Sequence, residues 1–202
     1  MDLKAVIGLG NPGPEFAATR HNVGFRVVDE LARRWRLDGW VRRYRSLIGR
    51  RAGGRGVWLA KPQTFMNLSG EAVAAFCAAE ALDPHQCLVV VDDVELALGQ
   101  LRLRSRGGSG THNGLRSLVA AVGEGFVRLR VGVQGTRPWH DLADYVLAPF
   151  DADEGPVVDV MVGRAADCVE MALHAGVSRA ASLFNRTETL AGEDRPDGGA
   201  AS

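Results

Sequence analysis

The amino-acid sequence predicts an α/β fold: a single domain with a twisted mixed β-sheet flanked by helices on both sides. Three observations carry that reading. Short apolar runs of strand length alternate with amphipathic stretches of helix length along the chain. The segment Leu88-Val89-Val90-Val91 is apolar at four consecutive positions, the pattern of a strand buried on both faces. The chain has 202 residues, 46% hydrophobic and 24% charged, enough to bury a sizeable core in one compact unit.

The elements follow in order. Residues 4–8 (KAVIG) read as a short buried strand, and the Gly-Asn-Pro-Gly-Pro run at 10–14 must turn, because Pro and Gly interrupt regular structure. A helix then places Val23, Val27, Val28, Leu31 and Trp35 on one face. Arg33, Arg34 and Arg36 sit near its C-terminal end, where the helix dipole favours cations. Residues 42–51 and 57–60 read as a strand pair around Gly53-Gly54, and Ser69 is expected to cap a helix that buries Val73, Phe76 and Cys77. The strand at 88–91 should end in Asp92-Asp93, with both carboxylates at the sheet edge. Residues 101–104 and 127–133 add strands with a helix at about 113–122 between them, giving the order βαββαββαβα. The pattern is helical from 151 to 184. The domain is expected to span 1–186, with 187–202, rich in Gly, Ala and Asp, as a disordered tail.

Composition narrows the function. No apolar run approaches the roughly 20 residues needed to cross a bilayer, and Met1-Asp2-Leu3-Lys4 leads directly into a strand, not a leader, so a cytoplasmic protein is expected. Cys77, Cys87 and Cys168 are odd in number and lack C-x-x-C spacing, which favours buried, reduced thiols. Zero formal net charge hides an asymmetry: residues 1–137 hold 20 Lys and Arg against 12 Asp and Glu, and residues 138–202 hold 4 against 12. A basic portion on a neutral chain suits a polyanion-binding face.

Several loops near predicted strand ends carry polar groups, the place where open α/β sheets gather ligands. Asn11 follows the first strand, His21 follows its turn, Asn67 follows the strand at 57–60, Asp92 ends the strongest strand, and His112-Asn113 opens a helix. Each alone is ordinary, since Asn forms turns and Asp often ends strands. Together, one imidazole, one carboxylate and three amides make a site suited to hydrolysing an uncharged ester. A His can take a proton from water near neutral pH, and a carboxylate can fix its tautomer.

Other chemistries fit less well. Gly8-Leu9-Gly10-Asn11-Pro12-Gly13 has the letters of a dinucleotide fingerprint, but Pro12 removes a phosphate-facing amide and no acidic residue follows a second strand at the required distance. No G-x-S-x-G or P-loop occurs, and the five histidines show no H-E-x-x-H or paired metal-ligand spacing.

Three segments, 6–24 (VIGLGNPGPEFAATRHNVG), 60–70 (AKPQTFMNLSG) and 89–115 (VVVDDVELALGQLRLRSRGGSGTHNGL), resemble bacterial-type peptidyl-tRNA hydrolases, in order and spacing, within a match that runs from Val6 to about Phe184. The resemblance implies an enzyme that cleaves the ester between a peptide, or an N-blocked aminoacyl group, and the 3′-terminal ribose of tRNA, without cofactor or metal and as a monomer. It makes His21 the general base and Asp92 its orienting partner. It also gives Asn11, Asn67 and Asn113 the positioning of substrate and water, Met66 the pocket wall, His112 the channel lining, and Phe16 stacking on a base or sugar. Arg102, Arg104 and Arg130 align with basic positions near acceptor-stem phosphate, where guanidinium binds bidentately. Phe16 stands where Tyr is common, Thr111 replaces a usual Gly, residues 133–136 depart from a Gly-rich continuation, and the stretch between Asn113 and Arg130 is slightly short. An RNA-binding homologue without hydrolysis and a paralogue specialised for one acyl-tRNA are the competing readings.

Overall fold

The computed structural model describes residues 2–51, 56–136 and 138–186. Among these, seven strands form one sheet in the order β2-β3-β4-β1-β5-β7-β6. They are β1 (Ala5–Gly8), β2 (Val41–Arg43), β3 (Ser46–Arg50), β4 (Trp58–Pro62), β5 (Cys87–Ala97), β6 (Leu101–Arg104) and β7 (Val127–Gln134). The central strands β4, β1, β5 and β7 pair in parallel, whereas β3 joins β4 and β6 joins β7 antiparallel. The edges are blunted: β2 is three exposed residues, two of them Arg, and β6 alternates buried Leu with exposed Arg.

The helices are α1 (Val23–Arg34), α2 (Ser69–Ala79), α3 (Asn113–Val122), α4 (Leu142–Leu147), α5 (Gly155–Ala175) and α6 (Val177–Phe184). Alternation along the strands divides the interior. Val6, Leu88, Val90, Leu129 and Val131 face a cluster with Val27, Val28 and Leu31 of α1 and Val158 to Ala172 of α5. Ile7, Val89 and Val91 face the opposite cluster, with Val73 and Phe76 of α2 and Leu115 and Leu118 of α3. The α/β sandwich expected from sequence is therefore the fold.

Local differences have local causes. Residues 42–51 are not one strand but the β2–β3 hairpin, turned by Tyr44 and Arg45 at φ 53° and 52°. Two consecutive left-handed residues are what a tight hairpin turn requires, here without Gly or Asn to announce it. The β3–β4 pairing is as expected, and the Gly53-Gly54 tip and the tail from 187 lie outside the described residues. Ser69 does not cap α2: it is the first helical residue, and the amide of Gly70 is met instead by Ser117 Oγ at 2.9 Å from α3. The helical stretch from 151 is two helices parted by Gly176 at φ 89°. All three cysteines are buried free thiols, and Cys77 and Cys87 meet at 3.7 Å between α2 and β5.

Strand β5 runs past Asp92, which pairs with Val131 of β7. Its pairing with β1, however, ends at Gly8–Val90, so Asp92 stands beyond the tip of its other neighbour and faces the space there. What reaches that space is set by contact between backbones. A Cβ on Gly24 would lie 2.5 Å from the carbonyl oxygens of Leu9 and Val90, and one on Gly8 would lie 2.2 Å from the Gly24 carbonyl. Helix α1 thus rests directly on the ends of β1 and β5, which accounts for Gly8 without any dinucleotide. Gly24→Ala is expected to lower stability by about 1–3 kcal/mol through overpacking. A urea melt with an unchanged midpoint would contradict this close contact.

Candidate active site

The site forms beyond the C-terminal ends of β1 and β4, against the part of β5 that runs on past β1. Residue Asn11, after β1, is locked by the side chain of Asn22: its amide N–H donates to Asn22 Oδ1 at 2.8 Å and its carbonyl accepts from Asn22 Nδ2 at 2.9 Å. A side-chain amide here imitates a strand partner and joins the strand exit to the single turn Arg20–Asn22 that carries His21. The sequence reading did not single out Asn22. Its neighbour Arg20 is also buried, donating to the Pro149 carbonyl and to Glu154, with the rings of Tyr145 and Phe150 on its faces.

Asn11 Oδ1 accepts the Met66 amide at 2.8 Å. Because a backbone N–H can only donate, this bond fixes which end of the Asn11 side chain points where and leaves its NH₂ as a donor. Asn113 is oriented similarly, with Oδ1 accepting from Arg116 at 3.4 Å. Asn67 is exposed in the middle of the turn Met66–Leu68 that leads into α2.

His21 Nδ1 lies 2.8 Å from Asp92 Oδ1, and His112 Nε2 lies 2.9 Å from the same oxygen. An ionised carboxylate accepts only, so both ring nitrogens carry the hydrogen and donate. For His112 a second constraint agrees: Nδ1 accepts the Leu115 amide at 3.2 Å, as the N-cap of α3, and is therefore unprotonated. For His21 the consequence is that Nε2 keeps its lone pair. Burial would raise the pKa of Asp92, but His112 and His21 outweigh it, through the positive charge each ring carries when protonated and through their N–H groups, and hold the carboxyl well below the usual range. Asp92 is only 3% exposed, so these two bonds are its compensation for the water it gives up on burial.

Three potential ligand atoms from His21, Asp92 and His112 lie within 4.8 Å of one another, a cluster that linear spacing does not reveal. Metal binding through His112 Nε2 would require its proton to move to Nδ1, where the Leu115 N–H already points. The tautomers favour proton handling over metal ligation.

These groups open on a cleft of about 760 Å³. Of the residues expected at the site, Asn11, Phe16, His21, Met66, Asn67, Asp92, His112, Asn113 and Arg130 line it. Thr111 is in its wall as well. Arg102 and Arg104 are not in the lining. They are exposed on β6, where Arg102 sits opposite Arg130 and Arg104 opposite Arg128. Arg130 bonds to Asp93 Oδ2 at 3.2 Å and to the Gly108 carbonyl at 3.2 Å. The cleft also uses groups that the sequence reading passed over: Phe65, 57% exposed and edge-on to Phe16, and Leu142, Val146 and Leu147 of α4. Phe65 sits inside the segment 60–70 that carried the resemblance, so its signal was present; α4 is too short to show a helical period.

Comparisons with known proteins agree with one another. The family model described as peptidyl-tRNA hydrolase matches residues 5–191. The chain is 47% identical over 183 residues to a peptidyl-tRNA hydrolase of Chloroflexus aurantiacus, covering 89% of this chain and 97% of that protein. It is 41% identical over 192 residues to that of Aquifex aeolicus, covering 94% and 100%. A crystal structure of peptidyl-tRNA hydrolase from Acinetobacter baumannii superposes with a TM-score of 0.83 at 32% identity, covering 91% of this chain and 94% of that one. A carboxylate holding two imidazoles in a cleft walled by amides, on a sheet of this topology, thus occurs in a chain that belongs to the bacterial-type peptidyl-tRNA hydrolase family.

Proposed function

We propose that the chain cleaves the ester joining a peptide or N-blocked aminoacyl group to the 3′-terminal ribose of tRNA, with His21 as general base. The observation that carries this reading is the pair of imidazole N–H groups on one Asp92 oxygen, which leaves His21 Nε2 unprotonated in the cleft. Nε2 takes a proton from water as the oxygen attacks the ester carbonyl, and the Asp92 carboxylate stabilises the imidazolium that forms. Negative charge then develops on the former carbonyl oxygen. The NH₂ groups of Asn11, Asn67 and Asn113 are the donors available to it, that of Asn11 already aimed by its bond to Met66. Collapse expels the ribose oxygen, which recovers the proton from His21. No step calls for a cofactor.

Phe16, Phe65, Met66 and the α4 side chains offer apolar surface to the peptide or the terminal base. Arg102 and Arg104 project from β6 beside the cleft, and Arg130 at its wall can exchange Asp93 for a phosphate. Contacts of this kind bind any acceptor stem without reading its sequence, which suits recycling of many tRNAs. One chain supplies every group named, which supports action as a monomer. A tRNA substrate supports action in the cytoplasm. No helix among the described residues is long and apolar enough to cross a membrane.

His21→Ala should lower kcat on N-acetyl-aminoacyl-tRNA by about 10²–10⁴-fold, the usual worth of a positioned general base. Turnover equal to the unmodified protein would remove His21 from this role. Asp92→Asn, which offers an N–H where His21 needs an acceptor, should cost on the order of 10²–10⁴-fold in kcat with the thermal melt still cooperative; a loss under threefold would show that the carboxylate does not set the tautomer. The double change Arg102→Gln and Arg104→Gln should raise KM, leave kcat nearly unchanged, and reduce the salt dependence of log kcat/KM by about 0.7–0.9 for each phosphate that is no longer neutralised. An unchanged salt dependence would place the stem elsewhere.

A further inference from the structure

Among the described residues Arg128 is the largest fully buried side chain, 1% exposed, and the proposed mechanism has no use for it. No carboxylate pairs with it among the described residues. Its partners are backbone carbonyls: Nη1 donates to Gly107 and, at 3.1 Å, to Gly108, while Nη2 donates to Glu124 at 2.9 Å and Phe126 at 3.3 Å. Phe126 lies under the guanidinium at 4.2 Å, and Nε is buried without a partner. Removing a cation from water without an ion pair is costly, and neutral carbonyls compensate it only in part. Burial and the neighbouring charge of Arg130 both push the guanidinium pKa down.

The geometry of the acceptors shows what this charge acts upon. Gly107 and Gly108 lie in the loop between β6 and α3 that leads into His112. In a planar trans peptide, the carbonyl of one residue and the N–H of the next point in opposite directions. With the Gly107 and Gly108 carbonyls turned in to Arg128, the N–H groups of Gly108 and Ser109 turn out. Neither amide has an acceptor among the described residues, and Gly108 is exposed. Arg130 adds its own bond to the Gly108 carbonyl and so holds the same orientation from the same strand, β7. Two aligned peptide units carry the positive end of the buried charge to the surface beside Arg130, whose strand partner across β6 is the exposed Arg102. Gly107 at φ +156° and Gly110 at φ +56° allow the loop this path.

We propose that Arg128 is a positioning residue for substrate phosphate: it orients the Gly107 and Gly108 peptides so that the Gly108 and Ser109 amides receive a phosphate oxygen of the nucleic acid. This rests on the functional reading above, and adds to its arginines a neutral pair of donors organised by a cation that never touches the substrate.

The test compares Arg128→Met, Arg128→Lys and Ser109→Pro on two substrates over a range of salt. One is N-acetyl-aminoacyl-tRNA; the other is the same ester on the terminal CCA trinucleotide, which lacks the acceptor stem. Arg128→Met should raise KM for the tRNA roughly tenfold, as loss of bonds to a charged group does, with kcat within about twofold. Its salt dependence should fall by about 0.7–0.9 in log kcat/KM, and the trinucleotide ester should be little affected. Arg128→Lys, with a charge but no fork, should be intermediate. Ser109→Pro keeps Arg128 and deletes one outward amide, so it should raise KM for the tRNA ester and leave the trinucleotide ester little affected. It decides the matter alone should Arg128→Met fail to fold.

Equal losses on both substrates, or a fall in kcat with KM and salt dependence unchanged, would reduce Arg128 to a packing role and overturn the proposal. So would a silent Ser109→Pro. An unmodified protein that did not hydrolyse the tRNA ester would defeat the functional reading instead.

Discussion

One oxygen atom organises this molecule. Asp92 Oδ1 accepts an N–H from His21 and another from His112, and the carboxylate that does so is 3% exposed. Each bond to an ionised acceptor is worth about 1.5–3 kcal/mol, and loss of either leaves a buried charge half-compensated. The two rings arrive from opposite layers, His21 ahead of α1 and His112 as the cap of α3, so the two helical layers converge on a single acceptor above the sheet. His112 is more than a channel wall: its Nδ1 is committed to the helix, its Nε2–H to Asp92, and the second bond fixes the carboxylate that fixes His21.

The surrounding structure sustains that convergence by contact of backbone with backbone. Gly8 and Gly24 let α1 rest on the strand ends, and Asn22 ties the turn holding His21 to the exit of β1. Arg20, gripped by the Pro149 carbonyl and Glu154, ties the same turn to the segment after α4, which walls the cleft. On the other side Arg128 and Arg130 hold the loop before His112. The buried arginines thus serve as fasteners for irregular backbone, whereas the exposed Arg102 and Arg104 remain available to a polyanion.

Much of this was legible in the residues. Continuous apolar runs marked β1 and β5, helical spacing marked α1, and polar groups after strands marked the cleft, because burial imposes those periods directly on sequence. What escaped was non-local or unsignalled. The Tyr44-Arg45 turn uses residues with no turn preference, and α4 is too short for a period. Nothing local distinguishes Asn22 or Arg128 from an ordinary helix-start amide or strand cation, and their roles exist only once distant backbone is brought beside them. The expectation that Ser69 caps α2 failed because the turn Met66–Leu68 runs straight into the helix, so Ser69 already has helical φ/ψ and lies one position inside it.

Preparation of the base depends on where the protons of the two imidazoles sit, and nitrogen-15 NMR of those side chains measures that most directly. At a pH where both rings are neutral, His21 should be the Nδ1–H tautomer and His112 the Nε2–H tautomer, each held without averaging. If His112 carried its proton on Nδ1, or His21 on Nε2, Asp92 would not be accepting from both, and the account of how the base is prepared would be wrong.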